Sequence, residues 1–593
     1  MKQFLITVAG VFAGLALFMI GVPLLILAVV AGSLRPAPLA PRTVLVLDLR
    51  GGLSDQATTS PLALLQGRSL SVMGIEETLR RAARDGRVKG LFVRLPEGGM
   101  APAAADELRL AFLGFRAAGK PILVHSQGLY PGGMVTSTYE LAAASGDIWM
   151  QPASSFQATG LARQDVFFGG FFKRHGVVAD FQQRYEYKTA IDPFLYSDYT
   201  AAHRQSELSW LGSVYDTAIA DAAADRGKSA AAVRTLIEAG PYPAEDAMAK
   251  GLVDHVGQVK AAENDLLAKA GAGARLVEFD DYAARGGGGG EGGPGDPAIA
   301  VIAAEGDIMT GRGSGPSPLS AGSTIRSDEV SKAFYDAIDD KSVRAIVFRV
   351  SSPGGSDTAS EQILAAVRAA RAAGKPVVVS MGTYGASGGY WISSQASEIV
   401  AEPGTLTGSI GVFGGKFALG PALAKFGVDV RGLSVGGDYA GAFSSEGPMT
   451  GAQRAAYSAW MDRIYNGFVG RVAEGRRLPV ARVREIARGR VWTGAQAKAL
   501  GLVDRLGGFY DAAERAKALA GTKGPARLVS FTVRSSPLEA LRRMLGAGSQ
   551  SATIAAAALA VLEDPATRAT LADVADARLR AQGATVLASR LAQ

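Results

Sequence analysis

The longest apolar stretch of the chain lies at its start, where residues 4–31 carry no charged side chain. As a helix, this stretch would extend about 42 Å at 1.5 Å per residue, whereas the hydrocarbon core of a bilayer is about 30 Å thick. A cleaved signal peptide is the alternative, but its apolar core usually has only about 7–15 residues. The pattern therefore predicts an uncleaved transmembrane anchor, and the charges that flank it do not decide its orientation.

Beyond this stretch, short apolar runs alternate with alanine-rich segments that have the pattern of amphipathic helices. The alternation is clearest in the second half of the chain, with strands predicted over 298–303, 345–350, 376–380 and 398–401, and helices over 327–338, 358–372 and 388–396. Short buried strands that alternate with helices indicate an α/β fold with a largely parallel sheet.

The same order of motifs occurs twice along the 593 residues. The hexapeptide Arg-Ala-Ala-Gly-Lys-Pro stands at 116–121 and again 255 residues later at 371–376, and further matched motifs follow in the same order. A glycine-rich run between the copies is a flexible linker by its composition. The predicted organisation is an anchor at 1–40, a first copy at 41–285, a linker at 286–297, a second copy at 298–535 and a helical tail at 536–593.

Composition removes several kinds of chemistry. The chain has no cysteine, which excludes thiolate catalysis and cysteine-ligated metal sites. The net charge of +7 is small for this length and the basic residues are scattered, so no nucleic-acid partner is expected.

Comparing the two copies singles out Ser387. It follows a predicted strand within Gly-Ala-Ser-Gly-Gly, where small neighbours expose its hydroxyl, as an acyl-transfer nucleophile requires. At the offset of 255, Gly132 stands at this position, so the first copy is predicted to have the turn without the hydroxyl. The alternative role for Ser387 is that of a helix N-cap.

A second glycine turn, which contains Gly354, follows the strand predicted over 345–350. Turns that follow the carboxyl ends of parallel strands lie along one edge of the sheet. The backbone N–H groups of Gly354 and Gly388 are therefore candidates for an oxyanion hole. The alternative is an ordinary type II turn at Pro353.

The residue that would activate Ser387 is either a histidine from the first copy or a lysine. No histidine follows Ser387, which excludes the chain order of an α/β-hydrolase; the four histidines are His125, His175, His203 and His255. A buried lysine can be a neutral base. Lys188 lies among aromatic and apolar residues, and the second copy has no lysine at the matching stretch, which indicates one site shared by both copies. The alternatives are a surface role for Lys188 and the rival base Lys416.

Three motifs of the second copy together resemble the signal peptide peptidase A family: Ser-Pro-Gly-Gly-Ser at 352–356, Gly-Ala-Ser-Gly-Gly-Tyr at 385–390 and Thr-Gly-Ser-Ile-Gly-Val at 407–412. The duplication and the apolar start are similar to the long bacterial form of that family. The resemblance implies a ClpP/crotonase-like fold for each copy, Ser387 as nucleophile, Lys188 as general base and Ser409 as a hydrogen-bond partner of the lysine. Lys416 has no role in this pattern.

The same resemblance implies a peptidase without metal or cofactor that degrades released signal peptides. It also implies a single-pass protein of the inner membrane, with its catalytic domains on the periplasmic side, that assembles as a homotetramer.

Two other functional classes remain open at this point. A crotonase-like enzyme acting on acyl-CoA thioesters would use the same oxyanion turns, but it would need neither the pair of Ser387 and Lys188 nor an anchor. A non-catalytic membrane scaffold would have a decayed site, whereas Ser387, Lys188 and Ser409 are all present.

Overall fold

The computed structural model describes residues 39–56, 70–286, 292–293, 295–312 and 324–531. The predicted helical tail lies outside these residues, as do nearly all of the predicted anchor and part of the predicted linker. Within the described part, no helix is long and apolar enough to cross a membrane.

The first copy is an α/β unit built on one parallel sheet. Its strands are β1 (Thr43–Asp48), β2 (Val88–Arg94), β3 (Ile122–Ser126), β4 (Ile148–Met150), β5 (Ser155–Phe156), β6 (Val178–Arg184), β7 (Tyr242–Pro243), β8 (His255–Val256) and β9 (Arg275–Glu278). Its helices are α1 (Val72–Arg84), α2 (Pro102–Ala117), α3 (Val135–Ala143), α4 (Gly169–His175), α5 (Asp192–Leu195), α6 (Ala201–Asp225), α7 (Ala230–Glu238), α8 (Ala244–Ala249), α9 (Val259–Ala270) and α10 (Phe279–Ala283). The sheet has the strand order β8-β4-β3-β2-β1-β9. Helices pack on both of its faces, which explains why its central strands are almost wholly apolar.

The second copy repeats this architecture with a larger sheet. Its strands are β10 (Ala298–Glu305), β11 (Asp307–Met309), β12 (Thr324–Arg326), β13 (Val343–Ser352), β14 (Val377–Ala386), β15 (Glu398–Ala401), β16 (Leu406–Gly408), β17 (Val412–Ala418), β18 (Val491–Thr493), β19 (Arg505–Leu506) and β20 (Arg527–Ser530). Its helices are α11 (Ser327–Asp339), α12 (Asp357–Ala372), α13 (Gly388–Ser393), α14 (Gly420–Ala424), α15 (Gly451–Arg476), α16 (Val480–Ile486), α17 (Gly494–Ala499) and α18 (Phe509–Leu519). The main strand order is β18-β16-β14-β13-β10-β20, and β15 and β19 extend from β14. The predicted α/β fold is confirmed, while its ClpP/crotonase-like type and the domain boundaries stay predictions.

The strand that leads to Ser387 is longer than predicted, because β14 continues past residue 380 to Ala386. The extension contains two glycines, which normally weaken a strand. Both stand where another group approaches the backbone closely. A Cβ at Gly382 would lie 2.3 Å from Asp55 Oδ1, and one at Gly385 would lie 2.5 Å from the Met381 sulfur. Close packing therefore overrides the local preference.

The repeated hexapeptide has the same structural role in both copies. The ammonium of Lys120 donates to two carbonyls at the end of α1, and that of Lys375 donates to three at the end of α11. The last carbonyls of a helix have no donor within the helix, so these lysines cap them. The repeated hexapeptide therefore makes the same helix-capping contacts in both copies.

The two copies differ in length just before α3 and α13. Tyr139 donates its hydroxyl to a main-chain carbonyl at 3.0 Å, and Tyr390 does the same at 2.7 Å, so these tyrosines are equivalent. Their offset is 251, four less than that of the hexapeptide, and Met134 immediately precedes α3 as Ser387 immediately precedes α13. The prediction that Gly132 matches Ser387 is therefore wrong, because the first copy has four extra residues between the hexapeptide and this tyrosine.

One strand pair joins the copies directly. β6 of the first copy and β17 of the second pair antiparallel over their full length, with Arg184 opposite Val412. The segment that follows β6 is thereby brought beside the segment that precedes β17.

A buried ion cluster also connects the copies. Arg349 on β13 is fully buried, and its guanidinium donates to Asp55 and to Glu107 of the first copy, each at 3.0 Å or less. It also donates to the hydroxyl of Ser380 at 2.8 Å. A buried charge is tolerated only with such partners, so this cluster fixes how the copies pack.

Replacing Arg349 with alanine is expected to destabilise the protein, because Asp55 and Glu107 would stay buried without a counter-charge. Breaking a buried pair typically costs about 3–5 kcal/mol. Urea denaturation followed by fluorescence would measure the loss. Arg344→Ala, an exposed arginine of the same strand, is the matched control and should leave the midpoint nearly unchanged. Equal midpoints for the two variants would contradict a stabilising role for the cluster.

Candidate active site

Ser387 occupies a tight turn between a strand and a helix. β14 ends at Ala386 and α13 begins at Gly388, so Ser387 alone forms the bend. Its φ is +54°, a conformation that is uncommon for a residue other than glycine and that is often found at functional sites. Ser387 occupies the N-cap position of α13, but its side chain makes no capping hydrogen bond, so its hydroxyl is not used to cap the helix.

The cross-copy strand pair brings Lys188 to Ser387. Lys188 lies four residues after the end of β6, and Ser409 lies three residues before the start of β17. The Nζ atom of Lys188 is 3.0 Å from Ser387 Oγ. The same Nζ is 2.9 Å from both the hydroxyl and the carbonyl oxygen of Ser409. The structure thus brings together Ser387 and Lys188, which comparison of the copies singled out, and Ser409, which the family resemblance implied.

Burial sets the protonation of Lys188. The side chain is 4% exposed, and desolvation lowers the pKa of its ammonium to about 7. No carboxylate of the described residues forms an ion pair with it. Glu186 pairs instead with Arg488, and Asp192 accepts a hydrogen bond from Thr200. The surface role for Lys188 is therefore wrong.

The three oxygens around Nζ suit a neutral amine. Such an amine has two N–H groups to donate and one lone pair that accepts. The carbonyl and hydroxyl of Ser409 can accept the two N–H groups, and the hydroxyl of Ser387 can donate to the lone pair. This arrangement can transfer a proton from Ser387 to Lys188.

The rival bases have their contacts elsewhere. Lys416 on β17 donates its ammonium to the carbonyl of Ser444 at 2.7 Å. Each histidine has a partner in the first copy: His125 lies 3.0 Å from the Gly257 carbonyl, His175 contacts Phe171, His203 faces Asp192 and His255 packs against Trp149. Within the described part of the chain, Lys188 is thus the titratable side chain that bonds to Ser387.

The glycine turn after β13 lies against Ser387. A Cβ at Gly354 would be 2.8 Å from the Gly388 nitrogen and 3.1 Å from Ser387 Oγ, so only glycine fits. The Gly354 N–H donates to the hydroxyl of Ser352 at 3.1 Å. The N–H of Gly388 has no acceptor among the described residues. The two predicted oxyanion donors are therefore adjacent, but only Gly388 has an unoccupied N–H group.

In the first copy, groups of the chain itself fill the site that corresponds to the oxyanion hole. The hydroxyl of Thr136 donates to the Gly160 carbonyl at 3.0 Å. Gly99, the counterpart of Gly354, donates its N–H to the carbonyl of Gly132 at 2.7 Å. Because the four extra residues fold onto this turn, the counterpart of the oxyanion site is filled from within the chain.

One carboxylate cluster has the spacing of a metal site. Oxygens of Asp106, Glu140 and Asp221 lie within 4.8 Å of one another among the described residues. Burial raises the pKa of Asp106 to about 6 and raises that of Glu140 as well. A proton shared between these two carboxyl groups accounts for their approach, and the cluster is separate from Ser387.

One residue of the site, Gly489, could not be identified from the sequence. Gly489 lies directly behind Lys188, where a Cβ would be 2.5 Å from the Cβ of the lysine. A glycine shortly after a helix is the common ending of a helix, so its sequence context predicts only that.

One known peptidase family matches both copies of the chain. The profile of peptidase family S49 matches residues 114–273 and 369–523, which together exceed half of the chain. This chain belongs to peptidase family S49. The resemblance inferred from the motifs is thereby confirmed, and the S49 chain is a serine peptidase.

Relatives of this S49 peptidase match most of its length. Protease 4 of Salmonella typhi is 32% identical over 511 residues, which cover 81% of this chain and 79% of the relative. Protease 4 of Haemophilus influenzae is 30% identical and covers 87% and 85% respectively. The chloroplastic serine protease SPPA of Arabidopsis thaliana is 29% identical and covers 80% and 69%. These matches favour a peptidase over the acyl-CoA enzyme and the scaffold.

The cleavage rate is expected to rise with pH, because Lys188 must be neutral to accept a proton. With a pKa of about 7, the acid limb of kcat/KM should have its midpoint near pH 7, well below that of an ordinary lysine. An internally quenched apolar peptide would provide the assay. Lys416→Gln should keep the same limb, and a rate that still climbs steeply in strong alkali would contradict the assignment.

Proposed function

We propose that this S49 peptidase is a Ser–Lys endopeptidase that degrades signal peptides after their release. The observation that carries the proposal is the distance of 3.0 Å between Lys188 Nζ and Ser387 Oγ, combined with the burial of Lys188. Ser387 is the nucleophile, Lys188 is the general base and Ser409 orients the amine.

The chemistry proceeds through an acyl-enzyme. Neutral Lys188 removes the hydroxyl proton while Ser387 Oγ bonds to the carbonyl carbon of the substrate. The carbonyl oxygen becomes an oxyanion, and its collapse breaks the C–N bond. The Lys188 ammonium protonates the departing amine. Water then attacks the ester with Lys188 again as base, which restores Ser387. These steps need no metal or organic cofactor.

Two backbone donors would stabilise the oxyanion. The N–H of Gly388 is available in the resting structure. The N–H of Gly354 would exchange the Ser352 hydroxyl for the oxyanion when the tetrahedral intermediate forms. Donors fixed in a site that excludes water are usually a large part of catalysis.

Exposed aromatic residues support apolar, extended substrates. Phe413 is 43% exposed, and its ring centre lies 6.0 Å from Lys188 Nζ. Tyr384, three residues before Ser387, is also exposed. The membrane anchor predicted from the sequence would keep the peptidase where released signal peptides remain, on the periplasmic side of the inner membrane.

We further propose a closed homotetramer built by strand pairing between chains. At the offset of 251, the counterparts of β17 and β6 are residues 161–167 and 429–435, and neither segment forms a strand. The second segment exposes Leu433 and Val435 almost completely, and the first exposes Val166. Pairing one segment with the other in a neighbouring chain would repeat the β6–β17 contact. Such head-to-tail contacts form a ring when the rotation between neighbouring chains closes, as a tetramer requires.

Ser387→Ala and Lys188→Arg are both expected to abolish cleavage. The first removes the nucleophile, and the second introduces a guanidinium that stays protonated. Loss of a general base alone typically costs about 10²–10⁴-fold. Ser409→Ala should reduce the rate less, because it removes only one of the contacts to the amine. Peptide cleavage and labelling by a fluorophosphonate, mapped to the modified residue, are the measurements.

Lys416→Arg is the control for these variants and should cleave normally. If Lys188→Arg cleaved normally while a histidine variant did not, the Ser–Lys assignment would be wrong and a site shared by Ser387 and a histidine would replace it.

Leu433→Asp is expected to weaken the assembly, because a charge would be buried at the proposed strand pair. Light scattering coupled to size exclusion would detect smaller species. Leu208→Asp changes another exposed leucine, on α6, and should leave the assembly size unchanged. A Leu433→Asp protein of unaltered size would rule out this contact.

A further inference from the structure

A three-residue segment, Arg488 to Arg490, contacts both halves of the site. It lies between α16 and β18, and it has positive φ at Arg488 (+53°) and Gly489 (+80°). We call it the connecting segment. Its bent backbone turns successive carbonyl and N–H groups toward different neighbours.

Backbone hydrogen bonds attach the connecting segment to the two loops that carry the amine and its partner. The carbonyl of Arg488 accepts from the N–H of Tyr187 at 3.2 Å, next to Lys188. The carbonyl of Arg490 accepts from the N–H of Ser409 at 2.8 Å. The separation of Lys188 from Ser409 therefore depends on the shape of this segment.

Gly489 packs directly against the backbone of the lysine. A Cβ at Gly489 would lie 2.5 Å from the Cβ of Lys188 and 2.6 Å from its nitrogen. A Cβ at Gly411 would in turn lie 2.7 Å from the Cα of Gly489. The three backbones can pack this closely only because Gly489 and Gly411 have no side chains.

The arginine side chains cover the same loop. The guanidinium of Arg490 lies 5.1 Å from the ring centre of Tyr187 and 4.3 Å from that of Trp492 on β18. Arg488 forms an ion pair with Glu186. These contacts hold the residues that precede Lys188 against the second copy.

We propose that Gly489 is a positioning residue of the active site, whose missing side chain lets Lys188 pack close enough to reach Ser387 and stay desolvated. The inference rests on the proposed role of Lys188 as base. Gly489 does not touch the reacting atoms and acts only through the lysine.

Gly489→Ala tests this role in the full-length chain, with an internally quenched apolar peptide as substrate. The added methyl group would displace Lys188, and a misplacement of about 1 Å can cost about 10²-fold in rate. We expect the loss in kcat, with KM little changed. Because a displaced lysine would be more hydrated, the acid limb of the pH profile should move to higher pH.

Gly501→Ala is the matched control. Gly501 has nearly the same backbone, with φ +79°, and its nearest foreign atom to a Cβ is 3.7 Å away on Leu478. The two substitutions therefore introduce the same backbone strain, but only the one at Gly489 contacts the lysine. Gly501→Ala should leave both kcat and the acid limb unchanged.

Gly489→Asn separates strain from contact. Asparagine adopts positive φ more readily than alanine, yet it also has a Cβ. If contact with Lys188 matters, Asn and Ala will be equally harmful. Two results would overturn the proposal. One is a normal kcat with an unchanged acid limb in folded Gly489 variants, and the other is full activity of Gly489→Asn where Gly489→Ala is impaired.

If circular dichroism shows that neither Gly489 variant folds, Arg490→Ala tests whether the connecting segment positions Lys188. It keeps the backbone and removes the contacts with Tyr187 and Trp492, so kcat should fall and the limb should move to higher pH. Normal kinetics in that variant would overturn the proposal. Failure of the Ser–Lys assignment is distinguishable, because it would appear as normal cleavage by Lys188→Arg, whatever the Gly489 variants do.

Discussion

The active site depends on keeping one lysine out of water. Burial lowers the pKa of Lys188 from 10.5 to about 7. Compared with an exposed lysine, it therefore disfavours the ammonium relative to the neutral amine by about 5 kcal/mol. The folded protein must supply that free energy by packing. Neither copy could bury the amine alone, since Lys188 follows a strand of the first copy and its partners Ser387 and Ser409 belong to the second. The strand pair of β6 with β17 and the ion cluster around Arg349 are the contacts that make this burial possible.

Duplication explains why the chain has one such site rather than two. The first copy retains the glycine turn, but Met134 precedes its helix where Ser387 precedes α13, so the hydroxyl is missing there. Four additional residues fold back over the turn, so that Gly99 and Thr136 bond within their own copy. The second copy lacks a lysine where the first has Lys188. Each copy has thus lost a different part, and the remaining parts meet across the interface.

The sequence predicted what depends on local pattern. Alternating apolar and alanine-rich segments indicated the α/β fold, and the small residues around Ser387 indicated an exposed hydroxyl. Lys188 was identified because the matching stretch of the second copy has no lysine. The offset used to match Ser387 with the first copy was wrong. The pairing of β6 with β17 and the close packing at Gly489 could not be predicted. Both arise from residues that are hundreds of positions apart in the chain, where no local propensity operates.

The surroundings of the amine also explain how a desolvated lysine can work as a base. Among the described residues, Lys188 Nζ bonds to the neutral hydroxyls of Ser387 and Ser409 and to the Ser409 carbonyl, whereas a nearby carboxylate would have favoured the ammonium. In the proposed mechanism, the ammonium and the oxyanion form together when Ser387 attacks. Attraction between opposite charges is stronger in a dry site than in water. In that mechanism, the burial that disfavours the charged lysine beforehand also strengthens its attraction to the oxyanion. With a pKa of about 7, a large fraction of Lys188 is neutral at neutral pH, and the ammonium gains an opposite charge beside it only during the reaction.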